Sequence, residues 1–290
     1  MKKISLNGDY ILRFADEQKN PSGLEGMQTI SAKVPGNVEI DLMNAGILPD
    51  IYFGNNVKLL RQYEFYRWRY EKTFIAPKLE EGQRAFLHFG GVDCIASYEL
   101  NGKKFATSEN ALIDHRFDVT DLLLEGENHL AVDIRSPILH AAKLKYDAYS
   151  KALVGCYEAL RVRKAPSAYG WDIMPRTVSA GLWRDVTLEI EEPTEIEDIS
   201  FSTVYIQKNT AYIACSYRIH TNVFNYEGLS LRITGKISDR AEFVHETPIR
   251  FVCGRADFYI KNPKLWWPLG YGEPNVYDII AEVIHEGKVI

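Results

Sequence analysis

Apolar and polar residues alternate over short stretches along most of the chain. The run from Tyr63 to Phe74 shows this most plainly, with Tyr66, Trp68 and Tyr70 on one side of an extended backbone and Arg67, Arg69 and Glu71 on the other. A period of two in an aromatic-rich run predicts a strand with one buried face. Further strands are predicted around a turn at Asn7-Gly8, over Thr29 to Val34 before Pro35-Gly36, over Arg84 to Phe89 before Gly90-Gly91, and from Gly126 to Ile134. Asn101-Gly102 lies between two such runs and predicts a tight hairpin, because both turn residues must accept positive φ. Val38 to Ala45 fits one short helix, with Val38, Leu42 and Ala45 on one side. Between Ile138 and Leu160, Ala141, Ala142, Leu144, Ala148, Ala152 and Leu153 recur as in a short amphipathic helix, so 137–182 reads as an excursion out of the sheet.

The charged stretch Glu191 to Glu197, interrupted by Pro193, is the best domain boundary, giving domains at 1–192 and 193–290. Beyond it, Ile199 to Ile206, Thr210 to Ile219, Leu229 to Ile237 and Arg250 to Tyr259 predict strands of an immunoglobulin-like sandwich. The chain is expected to stop before the last strand of that sandwich. The fold class is all-β.

Composition narrows the chemistry. With 290 residues, 46% hydrophobic and a net charge of -5, the chain has room for two cores and shows no basic stripe suited to nucleic acid. Arg161 to Lys164 reads as a solvated face or a pocket edge. No apolar run approaches the roughly 20 residues of a membrane-spanning helix. Lys2 and Lys3 are followed by Asn7, Gly8 and Asp9 before any apolar run develops, so no export signal is visible and the cytoplasm is favoured. Cys94, Cys156, Cys215 and Cys253 form no Cys-x-x-Cys pair and are expected to be buried free thiols. The histidines are dispersed, so neither a metal nor a cofactor is expected.

The stretch from Arg163 to Arg184 combines Trp171, Trp183 and Asp172 with Arg163, Arg176 and Arg184. An aromatic face covers the C–H groups of a sugar while a carboxylate accepts its hydroxyl hydrogen bonds. On these residues alone, the alternative of a core tryptophan beside a turn aspartate stays open.

In order, Leu87-His-Phe-Gly-Gly-Val-Asp93, Tyr98-Glu-Leu-Asn-Gly102, Phe117-Asp-Val-Thr120 and Gly126-Glu-Asn-His-Leu-Ala-Val-Asp133 resemble the N-terminal jelly-roll (galactose-binding-like) domain of glycoside hydrolase family two. Arg163-Lys164, Gly170-Trp-Asp172, Pro175-Arg176 and Gly181-Leu-Trp-Arg184 resemble its β-mannosidase branch, and Pro263 to Tyr277 resembles a signature of the second domain, expected to brace the domain edge. The resemblance implies the N-terminal accessory domains of an exo-acting retaining β-glycosidase. It places Trp171 and Asp172 at the substrate, a terminal β-linked sugar. Trp183 and Arg184 become framework, with Arg184 paired to a carboxylate or to backbone carbonyls. Ile173-Met174 stands where that branch generally has Trp-Gly, so mannose, galactose, glucosamine and glucuronate all remain open.

The family's two catalytic carboxyl groups lie on a (β/α)₈ barrel after the second domain, and the acid/base follows an Asn. These 290 residues contain no Asn-Glu dipeptide, and a barrel takes roughly 250 residues. No catalytic residue is therefore assigned, and the chain by itself is expected to be inactive, its partners being carbohydrate and a barrel of the same polypeptide. A stand-alone carbohydrate-binding module and a structural or interaction fragment are the alternatives.

Overall fold

The computed structural model describes residues 2–20, 25–152 and 156–290, and the chain divides into two compact units, Lys2–Ile190 and Glu191–Ile290.

The first unit contains β1 (Lys2–Ser5), β2 (Gly8–Asp16), β3 (Gln28–Val34), α1 (Val38–Asn44), β4 (Tyr66–Ala76), β5 (Arg84–Phe89), β6 (Val92–Asp93), β7 (Ile95–Leu100), β8 (Lys103–Ser108), β9 (His115–Asp118), β10 (Gly126–Arg135), α2 (Pro137–Ala141), β11 (Gly181–Leu182) and β12 (Val186–Glu191). Antiparallel pairing builds a six-stranded sheet, β3-β2-β4-β10-β7-β8, and a four-stranded sheet, β1-β12-β5-β9, with β11 and β6 as a separate pair. The inward residues form one core around Leu12, Phe14, Trp68, Tyr70, Phe89 and Tyr98, and this two-layer arrangement is a jelly-roll-type sandwich.

Asn7-Gly8 joins strands of different sheets, since β1 pairs with β12 and β2 with β3 and β4. Asn7 holds the crossing: its Oδ1 accepts from the Val186 N–H at 2.9 Å and its Nδ2 donates to Asp185 at 2.8 Å. The hairpin at Asn101-Gly102 forms as the sequence predicts, with φ of 52° and 78°. The short helix also forms, capped by Asn37 accepting from the Ile40 N–H at 3.1 Å.

Two expectations are corrected. The polar face of β4 is not solvated: Arg67, Arg69 and Glu71 are buried. β4 lies between β2 and β10, and its charges pair sideways. Arg67 binds Asp133, Arg69 binds Glu71 at 2.8 Å and Glu99 at 3.0 Å, and Arg13 binds Glu71 at 2.8 Å. The amphipathic helix shrinks to Pro137–Ala141, followed by turns and irregular chain to Ala152 and a 3₁₀ turn at Tyr157–Leu160. Ala141 packs with Cys94, Ala111 and Val162, but Ala142 and Ala148 are exposed, so little of the stripe is buried, and so short a helix is marginal without packing. Leu153 lies outside the described residues.

The second unit contains β13 (Thr194–Gln207), β14 (Thr210–Thr221), β15 (Leu229–Ile237), β16 (Arg240–Pro248), β17 (Cys253–Lys261), β18 (Asp278–His285) and β19 (Lys288–Val289). Its sheets, β13-β14-β17 and β16-β15-β18-β19, share a core that includes Cys215, Leu231, Ile233, Phe258 and Val283. This is an immunoglobulin-like sandwich. The sequence pattern misses β16, β18 and the two-residue β19. The turn into β16 uses Ser238 and Asp239 at φ of 49° and 64°, with no glycine to announce it. Pro263 to Tyr277 is an irregular loop stitched by its own hydrogen bonds, such as Trp267 N–H to the Glu273 carbonyl at 3.0 Å, and its Trp266, Trp267, Leu269 and Tyr271 are exposed.

Candidate functional site

The stretch from Arg163 to Arg184 has a buried base and an exposed tip. A 3₁₀ turn at Pro166–Tyr169 ends at Gly170, whose φ of 101° turns the chain outward. Trp171 and Met174 then close a tight turn by exchanging backbone hydrogen bonds of 3.0 and 3.1 Å. Trp171 is 55% exposed at this tip, and Ile173 and Met174 are exposed as well. Asp172 is exposed beside it. Trp171 also borders a recess of about 460 Å³ whose walls include Cys156, Leu160, Pro166 and Gly170. The tip thus offers a ring face, an accessible carboxylate and an adjoining largely apolar hollow, which together can bind a sugar. Asp172 is the one carboxyl group within the tip, 171–174.

Ion pairs made by two cations, Arg176 and Lys164, anchor the base. Arg176 meets both Glu64 oxygens at 2.8 Å and Glu158 at 2.5 Å, and also donates to the Tyr169 carbonyl at 3.3 Å. The bidentate geometry with Glu64 holds the guanidinium even further above its ordinary pKa, against the opposing effect of burial. Tyr169 is itself buried, and the Arg176 guanidinium lies 5.6 Å from its ring centre.

Lys164, only 3% exposed, binds Asp93 and donates to the Ser179 carbonyl at 2.8 Å. Of the two readings of Arg161 to Lys164, a solvated face or a pocket edge, the first does not hold at Lys164, because Asp93 on β6 supplies a carboxylate 71 residues away in sequence. Burial raises the pKa of Asp93, and Lys164 opposes that shift.

The framework residues differ in detail from expectation. Gly91 lies so close beneath Trp183 that a Cβ there would come within 2.6 Å of the ring. Arg184 stacks on that same ring, 4.3 Å from its centre, in place of the expected pairing to a carboxylate or carbonyls. The four cysteines are free, but only Cys94 and Cys215 are buried; Cys156 is half-buried and Cys253 exposed. Burial pushes the Cys94 thiol up to about 12. Among the described residues no cluster of three or more His, Cys, Asp or Glu side chains could hold a metal ion, and no helix is long and apolar enough to cross a membrane.

Sequence reasoning picks out Trp171, Asp172 and Arg176 but misses Glu64 and Glu158, which fix Arg176. Nothing in their local pattern distinguishes them from surface glutamates. Asp93 closes the Leu87-His-Phe-Gly-Gly-Val-Asp93 motif, which is the signal the sequence offers for it.

Residues 6–184 match the glycosyl hydrolase 2 galactose-binding domain-like family and residues 194–290 match glycosyl hydrolases family 2. The chain is similar to a protein named beta-mannosidase B from Thermothelomyces thermophilus, 31% identical over 259 residues, covering 87% of this chain and 30% of that protein. A beta-mannosidase B from Emericella nidulans is 30% identical over 261 residues, with 87% and 30% covered. The chain thus spans about 30% of the length of these relatives. Among solved structures, β-D-mannosidase from Dictyoglomus thermophilum superposes with a TM-score of 0.73 at 28% identity, covering 100% of this chain and 35% of that one. A β-glucuronidase from Bifidobacterium dentium, at 21% identity and a TM-score of 0.61 over 100% of this chain and 46% of its own, shares the fold. With both sandwiches matched in order, the chain belongs to glycosyl hydrolase family 2 and comprises N-terminal accessory domains related to those of β-mannosidases.

Proposed function

We propose that the first unit supplies one wall of the sugar pocket of an exo-acting retaining β-mannosidase. On this reading Trp171 packs against the terminal sugar and Asp172 accepts hydrogen bonds from its hydroxyls, while the catalytic carboxyl pair belongs to a (β/α)₈ barrel elsewhere in the polypeptide. The observation that carries it is the exposed Trp-Asp pair at the tip of a loop whose base is held by the ion pairs of Arg176 and Lys164. The relatives named β-mannosidase support the choice of mannosides.

A retaining glycosidase uses one carboxyl group as acid/base and a second, about 5–5.5 Å away, as nucleophile. Trp171 and Asp172 would contribute by orienting the sugar against that pair, which lowers the barrier without any bond being made to them. A contact to hydroxyls remote from the scissile bond favours action on a terminal residue.

In the protein carrying its barrel, Asp172→Ala should lower kcat/KM for an aryl β-mannoside by about 100-fold or more. An unchanged rate removes Asp172 from the site. The 290-residue chain alone should neither turn over that substrate nor show a saturable change in tryptophan fluorescence with mannose, because half a pocket leaves the sugar in water. Saturation would instead favour a stand-alone carbohydrate-binding module.

A further inference from the structure

We propose that a second cavity in the first unit, built around Glu39, binds an amino sugar: a monosaccharide ring carrying a primary ammonium group. The cavity measures about 390 Å³, within the range of small-molecule sites. Ile40, Ile51, Val57 and Leu60 form apolar walls, and Tyr52 stands exposed at its lining. Its polar groups are Asn37, Glu39, Thr177 and Ser179, and no basic side chain lines it. Neither Trp171 nor Asp172 lines it, although Pro175, Thr177 and Ser179 bring the base of the same loop to its wall.

Glu39 is the centre of the argument. It projects from α1, is only 7% exposed, and its Oε2 accepts a hydrogen bond from Ser179 Oγ at 2.8 Å. Among the described residues it forms no ion pair. Lys164 is the cation whose charge reaches it, but the Lys164 ammonium is already bound by Asp93 and by the Ser179 carbonyl. Glu39 therefore faces the cavity with no cation of its own. Burial accordingly raises the pKa of Glu39. A sheltered carboxylate without a cation is costly, and a ligand that brings a positive charge relieves that cost.

The remaining lining suits a sugar ring. Asn37 uses its Oδ1 to cap α1, which leaves its amide NH₂ as a donor, and the Thr177 hydroxyl can both donate and accept. The Tyr52 ring can cover ring C–H groups or face the ammonium. A bare amine would use the carboxylate alone, and a neutral sugar would leave its charge unmatched.

The test is calorimetric titration of the 290-residue chain at neutral pH with D-glucosamine, D-glucose, N-acetyl-D-glucosamine and ethanolamine. Glucosamine should saturate the site and bind at least about tenfold more tightly than the other three. Glu39→Gln should abolish that preference, whereas Trp171→Ala should leave it intact. Equal affinities, no saturation by millimolar glucosamine, or loss of binding in Trp171→Ala with retention in Glu39→Gln would each overturn the proposal. Should Glu39→Gln fail to fold by circular dichroism, Tyr52→Ala at the exposed rim must weaken glucosamine binding; unchanged affinity there overturns it as well.

Discussion

Replacing Arg176 by Met tests whether the base of the Trp171 loop is held by its ion pairs. Glu64 and Arg176 have side chains only 6% and 15% exposed, so the substitution strands a sheltered carboxylate. Breaking a buried pair from one side costs about 3–5 kcal/mol. Arg61 also reaches Glu64, at 3.2 Å, and offsets part of that loss, which places the expected cost near ~3 kcal/mol. For a unit of this size each kcal/mol moves the midpoint by about 2–4 °C, so its transition should fall by about 6–12 °C. Differential scanning calorimetry would follow it, with limited proteolysis at the 171–174 tip reporting on the loop itself. The double variant with Glu64→Gln should be less destabilised than the sum of the singles, by about 1 kcal/mol or more. A cost for Arg176→Met below ~1 kcal/mol, or a coupling below ~0.5 kcal/mol, would refute the anchoring role.

Two further substitutions probe the same unit. Gly91→Ala would push a methyl into the Trp183 ring and should cost about 1–3 kcal/mol in urea denaturation; a neutral result would mean that the ring moves aside freely. Asp41 is buried, and burial raises its pKa from 3.8 to about 6. A carboxyl group whose folded pKa is raised favours folding most below its ordinary value and loses that contribution as pH rises through about 6. Asp41→Asn keeps an acceptor for the Lys33 N–H and should be the more stable protein at pH 7.5 by about 2–3 kcal/mol, with the difference nearly gone by pH 4. A difference that does not change with pH would discount the buried charge.

The features legible in the sequence are those governed by local rules. The Asn101-Gly102 turn, the short helix from Val38 and the aromatic alternation of β4 depend on residues within a few positions of one another, and all three form. What local pattern misjudges is charge. Arg67, Arg69 and Glu71 read as a solvated face because a row of charges usually is one. They are buried because β10 and β7 bring Asp133 and Glu99 alongside, and that registration exists only once the sheet has formed. Lys164 fails for the same reason, its partner Asp93 arriving from a strand far away in sequence. The second unit adds a simpler case: β16 follows a turn made of Ser238 and Asp239 in left-handed conformation, where a Gly would have marked it.

The contrast between base and tip bears directly on how the Trp-Asp pair would work. A flexible loop that ordered only on binding would lose conformational freedom at that moment, and the sugar contacts would have to offset it. Here Arg176, Lys164 and the buried Tyr169 order the base before any sugar arrives. Trp171 and Asp172 remain in water, where a carboxylate exchanges solvent hydrogen bonds for sugar ones at little net gain. On the proposed reading, Asp172 becomes effective only when a second surface covers the tip, excludes water and lowers the local dielectric. The same side chain should therefore matter little to sugar binding by this chain alone and strongly to turnover in the complete enzyme. That split between two measurements is what separates a wall of a shared pocket from a self-sufficient binding module.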